Sequence, residues 1–198
     1  FPYGEEIAAA SHWREALERL RADPSIRELI LSGGDPLSLA TSKLEELTRG
    51  LAELPQVIRL RIHTRLPVVL PERVDDSLLA WLAGLPLQKV VVLHANHANE
   101  LDAGVDAACA ALRETGATLL NQSVLLRGVN DDADALANLS ERLFAAGVLP
   151  YYLHQLDRVH GTAHFEVADD TALALLDTLR ARLPGYLVPR LVREVAGD

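Results

Sequence analysis

The feature that most constrains the fold is a sixfold alternation of short apolar runs with longer amphipathic segments. The short runs are rich in Leu, Ile and Val, which is typical of strands buried in a parallel sheet. The longer segments carry apolar residues at spacings of three and four, which is typical of helices. Each helix is long enough to connect one strand to a parallel neighbour. The alternation therefore predicts an α/β fold with a parallel sheet, either open or closed into a barrel.

The boundaries follow from the same periodicities. Strands are predicted at residues 29–31, 57–62, 89–93, 117–126, 148–153 and 186–192. Helices are predicted at residues 5–23, 41–54, 75–85, 101–114, 133–146 and 169–183. Residues 63–71, between the second strand and the third helix, are predicted to form a polar loop bounded by proline. A chain of 198 residues is expected to bury a full core as a single domain over residues 1–198.

Charge and composition exclude several classes of function. The formal net charge of −9 argues against a nucleic-acid backbone as the main partner and favours small molecules or a basic partner. The single cysteine, Cys109, leaves no internal disulfide and no cysteine cluster for a metal. No apolar run reaches the length that spans a membrane. The expected location is therefore the cytoplasm.

Polar residues cluster where the predicted strands end. The clusters are SGGD, HTR, HANHANE, NQS with LLRGVND, and HQLDRVHG. In α/β barrels and in doubly wound sheets alike, ligands bind at the carboxyl ends of the strands. The active side of the molecule is therefore predicted to be this edge.

The first cluster has a chemistry of its own. Gly33 and Gly34 lack Cβ atoms, so the chain can turn sharply there and a ligand can lie against the backbone. Asp35 adds a negative charge beside that backbone. Together they suit a ligand that carries both an ammonium and a carboxylate. An ordinary turn between a strand and a helix is the alternative.

The histidines of the third cluster also allow two interpretations. His94 and His97 lie three residues apart, and Glu100 follows them. A metal site would need a third ligand and a geometry that faces both imidazoles inward. Hydrogen bonding or capping of a helix is the alternative.

The amide and charged side chains near the fourth strand also allow more than one interpretation. Asn121 and Gln122 fall inside an apolar run, where an amide costs free energy unless it is paired. They could hydrogen-bond a ligand, or neighbouring backbone could satisfy them. Arg127 and Asp131 could form a surface ion pair at a turn.

The segment 151–165 is dense in reactive side chains. It brings two tyrosines, three histidines, Asp157 and Arg158 to one strand end. A carboxylate there suits an amine substrate, because a buried ammonium needs a negative partner. A nucleophilic triad is not supported, because the chain has no GxSxG elbow and Cys109 lies inside a predicted helix.

Six motifs taken in order carry a family resemblance. They are SGGDPL, TRLPVVLPERV, LHANHANEL, NQSVLLRGVNDD, PYYLHQLDRVHGTAHF and GYLVPRLVRE. Together they resemble the lysine 2,3-aminomutase family, and most of all its short bacterial branch, which forms (R)-β-lysine for modification of elongation factor P. The resemblance runs from Phe1 to Asp198.

The resemblance implies a radical S-adenosylmethionine enzyme on a partial (βα)6 barrel. Such an enzyme is an isomerase that uses a 4Fe-4S cluster, S-adenosylmethionine and pyridoxal 5′-phosphate to convert L-α-lysine to (R)-β-lysine. The implied partners are free lysine and the elongation factor P pathway, without nucleic acid or membrane. A homodimer is expected by family analogy alone.

The resemblance also assigns roles to individual residues. Those implied to bind S-adenosylmethionine are Ser32, Gly33, Gly34, Asp35, His94 and Gln122. Asp157 is implied to bind the distal ammonium of lysine, and Glu194 stands where relatives carry a second acid, an aspartate. His154 stands where a tyrosine packs near pyridoxal phosphate, and Arg65 is a candidate phosphate ligand by its charge and its position at a strand end.

Two parts of the family pattern are missing from residues 1–198. The CxxxCxxC motif that ligates the cluster would precede Phe1, and the lysine that binds pyridoxal phosphate would follow Asp198. Lys43 and Lys89, the only lysines, lie outside the predicted site. The chain is therefore expected to be an excerpt that holds no cluster ligand, has no catalytic residue and is inactive by itself.

Two other classes of function remain open at this stage. A cofactor-free α/β domain could use its acidic edge to dock a basic peptide or protein. A phosphate-binding barrel enzyme of the aldolase type would need a Schiff-base lysine or a metal, and the sequence offers neither.

Overall fold

A computed structural model describes residues 3–156 and 163–193 of the chain, which form alternating helices and strands. The strands are β1 (Glu28–Leu31), β2 (Arg59–Thr64), β3 (Gln88–His94), β4 (Thr118–Leu125), β5 (Leu149–Gln155) and β6 (Arg190–Val192). The helices are α1 (Tyr3–Ala22), α2 (Thr41–Arg49), α3 (Leu66–Val69), α4 (Asp76–Gly84), α5 (Ala103–Glu114), α6 (Ala133–Ala145) and α7 (Asp169–Arg182). The predicted alternation of strand and helix is confirmed.

All six strands belong to one sheet, and each pairs in parallel with the next strand of the chain. In such a sequential order, crossovers of one hand place the connecting helices on the same face of the sheet. Within the described residues, β1 and β6 are the two edges, so the sheet is open. The parallel α/β sheet that the alternation predicts is confirmed, and its open, six-stranded form agrees with the partial (βα)6 barrel that the family resemblance implies.

Alternation along the strands separates the two faces of the sheet. In β2, Leu60 and Ile62 are fully buried, whereas Arg61 and His63, which alternate with them along the strand, are half-buried. β4 repeats this pattern, with Gln122 on the same face as His63. The buried face packs against the helices. The opposite face, which carries Arg61, His63 and Gln122, is called the open face below.

The core divides into two clusters of buried side chains. The larger cluster joins β1 to β4 with the helices before and between them, and Leu44, Leu60, Leu78 and Leu112 are fully buried in it. The smaller cluster joins α6 and α7 to the second half of the sheet. The helices therefore hold the sheet from one side and leave the carboxyl ends of the strands accessible.

Three boundaries differ from the sequence prediction for local reasons. The helix predicted at 41–54 is α-helical only to Arg49 and continues as a 3-10 turn, Gly50–Glu53. The loop predicted at 63–71 contains α3, whose first turn holds Pro67, a residue that fits there because it needs no N–H partner. The strand predicted at 186–192 begins only at Arg190, because Pro189 cannot donate to a sheet ladder.

Among the described residues, no helix combines the length and the apolar character needed to cross a bilayer.

Candidate active site

The turn after β1 exposes bare backbone at the carboxyl edge of the sheet. Ser32, Gly33 and Gly34 are exposed, and the two glycines have φ angles of +83° and +60°. L-residues with side chains rarely adopt this conformation, which explains the paired glycine. A Cβ atom at either position would meet no other atom within 4 Å. The turn therefore leaves room for a ligand beside its backbone.

The carboxylate of Asp35 faces into the protein. Its Oδ1 accepts hydrogen bonds from Leu37 N at 3.0 Å and Thr64 Oγ1 at 2.7 Å. Its Oδ2 accepts from Arg65 N at 2.6 Å and Leu66 N at 3.3 Å. A carboxylate offers about four acceptor sites, so these donors fill it. Asp35 thus fastens the glycine turn to the loop after β2, and the backbone of the turn is the part left for a ligand.

A second carboxylate joins the loops after β2 and β3. Glu100 Oε1 accepts from Asn96 N at 2.6 Å and His97 N at 2.8 Å, while Oε2 binds the guanidinium of Arg65 at 3.1 Å. His97 Nδ1 accepts from Asn99 N, so this histidine caps a 3-10 turn. Of the two interpretations of His97, the cap is the one that the structure supports.

The amide of Asn121 is paired with backbone. Its Oδ1 accepts from Ala95 N at 2.9 Å, and its Nδ2 donates to Ala95 O at 3.0 Å and Ser123 Oγ at 3.0 Å. Neighbouring backbone therefore satisfies Asn121, as the second interpretation of this residue requires. Gln122 instead projects from the open face, where it lies beside His94 in the ladder between β3 and β4.

The loop after β4 is tied to the segment before α7. Arg127 donates from Nε to His164 O at 2.9 Å and from its backbone N–H to Phe165 O at 2.9 Å. Asp131 accepts from Gly128 N at 2.8 Å. The sequence allowed a surface ion pair between these two residues. In the structure each side chain has a backbone partner.

Three imidazoles lie on the open face near the strand ends. The rings of His63 and His94 meet edge to face, with centroids 5.8 Å apart. Burial, helped by the charge of Arg61, lowers the pKa of His63. The hydrogen bond between His63 and the Gln122 side chain opposes this shift more weakly. The His154 ring meets Tyr152 edge to face, with centroids 5.6 Å apart.

His63 belongs to the predicted HTR cluster, but neither the motifs nor the residue types assign it a role of its own. Its place two residues after Arg61 in an alternating strand puts both side chains on the same face.

His94 is the residue with the most altered chemistry. Burial, helped by the charge of His63, lowers its pKa to about 4, against a weaker opposing effect of Asp35. Its Nε2 atom is buried and has no hydrogen-bond partner within residues 3–156 and 163–193. His94 is therefore a neutral imidazole at pH 7 that retains hydrogen-bonding capacity for a ligand.

The structure gathers several of the predicted site residues at one edge. Asp35, Arg65 and His154 all lie close enough to His94 for their charges to affect its pKa. Gln122 is its neighbour in the ladder. Asp157 and Glu194 lie outside the described residues, just beyond the ends of β5 and β6.

The described residues fit some of the implied cofactors better than others. The open backbone at Gly33 and Gly34 and the unpaired Nε2 of His94 fit S-adenosylmethionine, which carries hydrogen-bonding groups at both ends. Within the described part of the chain, no three His, Cys, Asp or Glu side chains could together hold a metal ion. Cys109 is fully buried in the larger core cluster, where burial raises the pKa of its thiol to about 11, so its thiol is not presented to a ligand at the carboxyl edge.

Comparison with known proteins gives relatives along the whole chain. L-lysine 2,3-aminomutase of Escherichia coli (strain K12) is 50% identical over 198 residues, which are all of this chain and 58% of the relative. The protein of the same name from Haemophilus influenzae is 48% identical over 198 residues, which are 59% of its length. That of Clostridium subterminale is 37% identical over 92% of this chain and 44% of its own length. The chain thus spans less than two thirds of these relatives.

Solved structures agree with the fold. A radical SAM methyltransferase from Sphaerobacter thermophilus matches 97% of this chain and 56% of its own, with a TM-score of 0.55 and 18% identity. A domain of pyruvate-formate lyase-activating enzyme from Bacteroides vulgatus matches 84% of this chain and 98% of its own, with a TM-score of 0.53 and 12% identity. At these identities the likeness concerns the fold alone. No family model matches the chain.

Replacement of Asp35 by asparagine should loosen the loop after β2. The amide nitrogen would face backbone donors, so we expect a loss of about 1 to 3 kcal/mol in the free energy of unfolding and faster exchange of the Arg65 and Leu66 amide protons. Denaturant unfolding and hydrogen exchange measure both. Asp75→Asn is the control, because Asp75 caps α4 through local contacts with Ser77 and Leu78. Unchanged protection of Arg65 and Leu66 in Asp35→Asn would contradict the assignment.

His94 should make stability depend on pH. Because its pKa is about 4 in the folded state and ordinarily 6.5, the unfolded chain takes up the proton first as the pH falls. Stability should be constant in this respect above pH 6.5 and decrease between pH 6.5 and pH 4. The free energy of unfolding of His94→Gln should change less steeply with pH across this range than that of the wild type. Part of the pH dependence that remains in the variant comes from His63, whose pKa is also lowered. An NMR titration of His94 with a midpoint near its ordinary value would disprove this.

Proposed function

We propose that the chain belongs to the lysine 2,3-aminomutase family and that the full-length protein is an isomerase that converts L-α-lysine to (R)-β-lysine. The observation that carries the proposal is the 50% identity to a lysine 2,3-aminomutase over all 198 residues. The site geometry supports it, because the open glycine turn and the neutral His94 lie at the carboxyl edge of a parallel sheet.

The proposed cofactors are a 4Fe-4S cluster, S-adenosylmethionine and pyridoxal 5′-phosphate. When bound, they supply a carbon radical that removes hydrogen from lysine and an electron sink that carries the amino group from carbon 2 to carbon 3. Within this chain, Ser32, Gly33 and Gly34 would offer backbone N–H groups to the methionine carboxylate of S-adenosylmethionine. Asp35 would act mainly by keeping that turn in place, because four donors of the protein already fill its carboxylate.

His94 and Gln122 are the proposed contacts to the rest of S-adenosylmethionine. A neutral imidazole can hydrogen-bond a polar group of the cofactor without adding a positive charge beside its sulfonium. Gln122 lies level with His94 in the sheet and shares the open face with it. Both residues therefore suit recognition of a cationic cofactor.

Asp157 and Glu194 are proposed to bind the distal ammonium of lysine. Asp157 is two residues beyond Gln155, the last residue of β5, and Glu194 is two beyond Val192, the last of β6. Neighbouring strand ends would thus supply two carboxylates to one ammonium, which compensates for its loss of hydration.

Arg65 and His154 are the proposed contacts to pyridoxal phosphate. Half of the Arg65 side chain is exposed, and the guanidinium donates to Glu100 at 3.1 Å. An exposed pair of this kind contributes little to stability, so a phosphate can replace or share the partner at small cost. His154 presents an imidazole on the open face beside Tyr152.

The finer assignment to elongation factor P rests on the motif resemblance to the short bacterial branch. In this proposal (R)-β-lysine is made in the cytoplasm for attachment to that factor. Docking of a basic peptide is a weaker candidate, because the open face carries Arg59, Arg61 and Arg190.

The experiment that tests the proposed function uses the full-length protein. After anaerobic reconstitution with iron, sulfide and pyridoxal phosphate, and with a reductant, S-adenosylmethionine and L-lysine supplied, chromatography should detect β-lysine and 5′-deoxyadenosine. Absence of β-lysine from a protein with a fully assembled cluster would refute the function.

In the same assay, Asp157→Ala should sharply reduce use of lysine and leave binding of S-adenosylmethionine nearly intact. Loss of the buried partner of an ammonium typically costs about 3 to 5 kcal/mol of interaction free energy. Asp131→Ala is the control, since Asp131 lies in an exposed turn after β4 and binds Gly128 N. Equal lysine turnover in the wild type and Asp157→Ala would remove Asp157 from the site.

A further inference from the structure

We propose that Asn130 is a positioning residue that holds His94 and Gln122 in place through the backbone of Asn96 and Val124. The inference rests on the proposed function in one respect, namely that His94 and Gln122 contact S-adenosylmethionine. The positioning itself follows from hydrogen bonds between the loops after β3 and β4.

The two residues after His94 have left the β-ladder, yet all their backbone polar groups are paired with side chains. Asn121 bonds both Ala95 N and Ala95 O, and Ser123 Oγ donates to Ala95 O at 2.8 Å. Asn96 N donates to Glu100, and Asn96 O accepts from Asn130 Nδ2 at 2.8 Å. The path of the chain directly after His94 is therefore set by side chains.

Asn130 occupies the centre of this arrangement. It is fully buried, and its Oδ1 accepts from Leu126 N at 2.7 Å. Its Nδ2 donates to Asn96 O at 2.8 Å and to Val124 O at 3.0 Å. The Asn96 side chain completes the connection by accepting from Val124 N at 2.8 Å. One amide thus joins the loop after β3, the end of β4 and the loop after β4. These contacts are called the Asn130 clamp below.

The chemistry of the clamp requires asparagine. Two carbonyls face Nδ2 and one N–H faces Oδ1, so the site needs two donors and one acceptor on a short side chain. Aspartate has nearly the same shape but would point an oxygen at both carbonyls. The effect of Asn130→Asp therefore reports on hydrogen bonding rather than on volume.

The clamp holds the chain two residues beyond each proposed ligand contact, at Asn96 after His94 and at Val124 after Gln122. His94 precedes Ala95 directly, and Gln122 lies between Asn121 and Ser123, which both bind Ala95. His94 and Gln122 are also partners in the ladder. A shift of the backbone at residues 95 and 96 would therefore move both side chains together. Displacements of about 1 Å in positioning groups can reduce function about a hundredfold.

The test uses Asn130→Asp in the full-length protein, with Asn130→Ala as a second variant that removes the amide without placing an oxygen against the two carbonyls. Thr48→Val is the matched control, because Thr48 is a buried hydroxyl that donates to Leu44 O and accepts from Trp81 in the helical layer. Three properties are measured in each protein: the free energy of unfolding, the NMR titration of His94, and the affinity for S-adenosylmethionine by equilibrium dialysis.

Both clamp variants should raise the pKa of His94 from about 4 toward its ordinary value, since the ring becomes more hydrated. They should also weaken binding of S-adenosylmethionine by at least about tenfold. Thr48→Val should lower stability and leave both of these properties unchanged. If Asn130→Asp does not fold, Asn130→Ala decides the question.

The outcomes separate this inference from the proposed function. If the wild type binds S-adenosylmethionine and the clamp variants keep the wild-type His94 titration and affinity, Asn130 is not a positioning residue. If the wild type does not bind S-adenosylmethionine, the proposed function fails, and the NMR titration alone decides whether Asn130 positions His94. A Thr48→Val variant that changes His94 as much as Asn130→Asp would reduce the effect to general destabilisation and overturn the inference.

Discussion

Pairing of loop backbone by side chains from the neighbouring loop is the interaction on which the carboxyl edge depends. A parallel sheet pairs its own strands but leaves the peptide groups beyond each strand end without ladder partners. Here Asp35 binds the loop after β2, Glu100 and Arg65 join that loop to the one after β3, and Asn130 continues the series to β4. Arg127 extends it to the segment before α7. The edge is therefore a connected belt of loops.

This belt explains how a polar edge can keep a few groups available for a ligand. Within the described residues, backbone groups bind the side chains of Asp35, Glu100, Asn121 and Asn130, which stabilises the loops and removes these side chains from ligand chemistry. The backbone of the glycine turn and the Nε2 atom of His94 remain available to a ligand. Fixed loops with a small set of free groups are what positioned chemistry requires, because the protein then pays little reorganisation when a ligand binds.

The sequence predicts more of the fold than of the site, for physical reasons. Periodicity is a local property, so the strands and helices, and the edge where SGGD and HANHANE fall, can be recognised directly. Residues 186–192 have the apolar pattern of a strand, but β6 begins only after Pro189, which has no N–H to donate to the ladder. The role of Asp35 depends on donors at Thr64 to Leu66, 29 to 31 residues away, which no local pattern contains. The same holds for Asn121 and Ala95, 26 residues apart.

The belt also bears on how such an edge can change over time or be redesigned. In many barrels each loop is a separate module, so one can be exchanged without disturbing the rest. Here the anchor of a loop often resides in its neighbour, as Asp35 does for residues 64 to 66. A transplanted loop would arrive without its anchor and leave another loop unsupported. The natural unit for grafting in this protein is therefore an adjacent pair of loops, transferred with the carboxylate or amide that joins them.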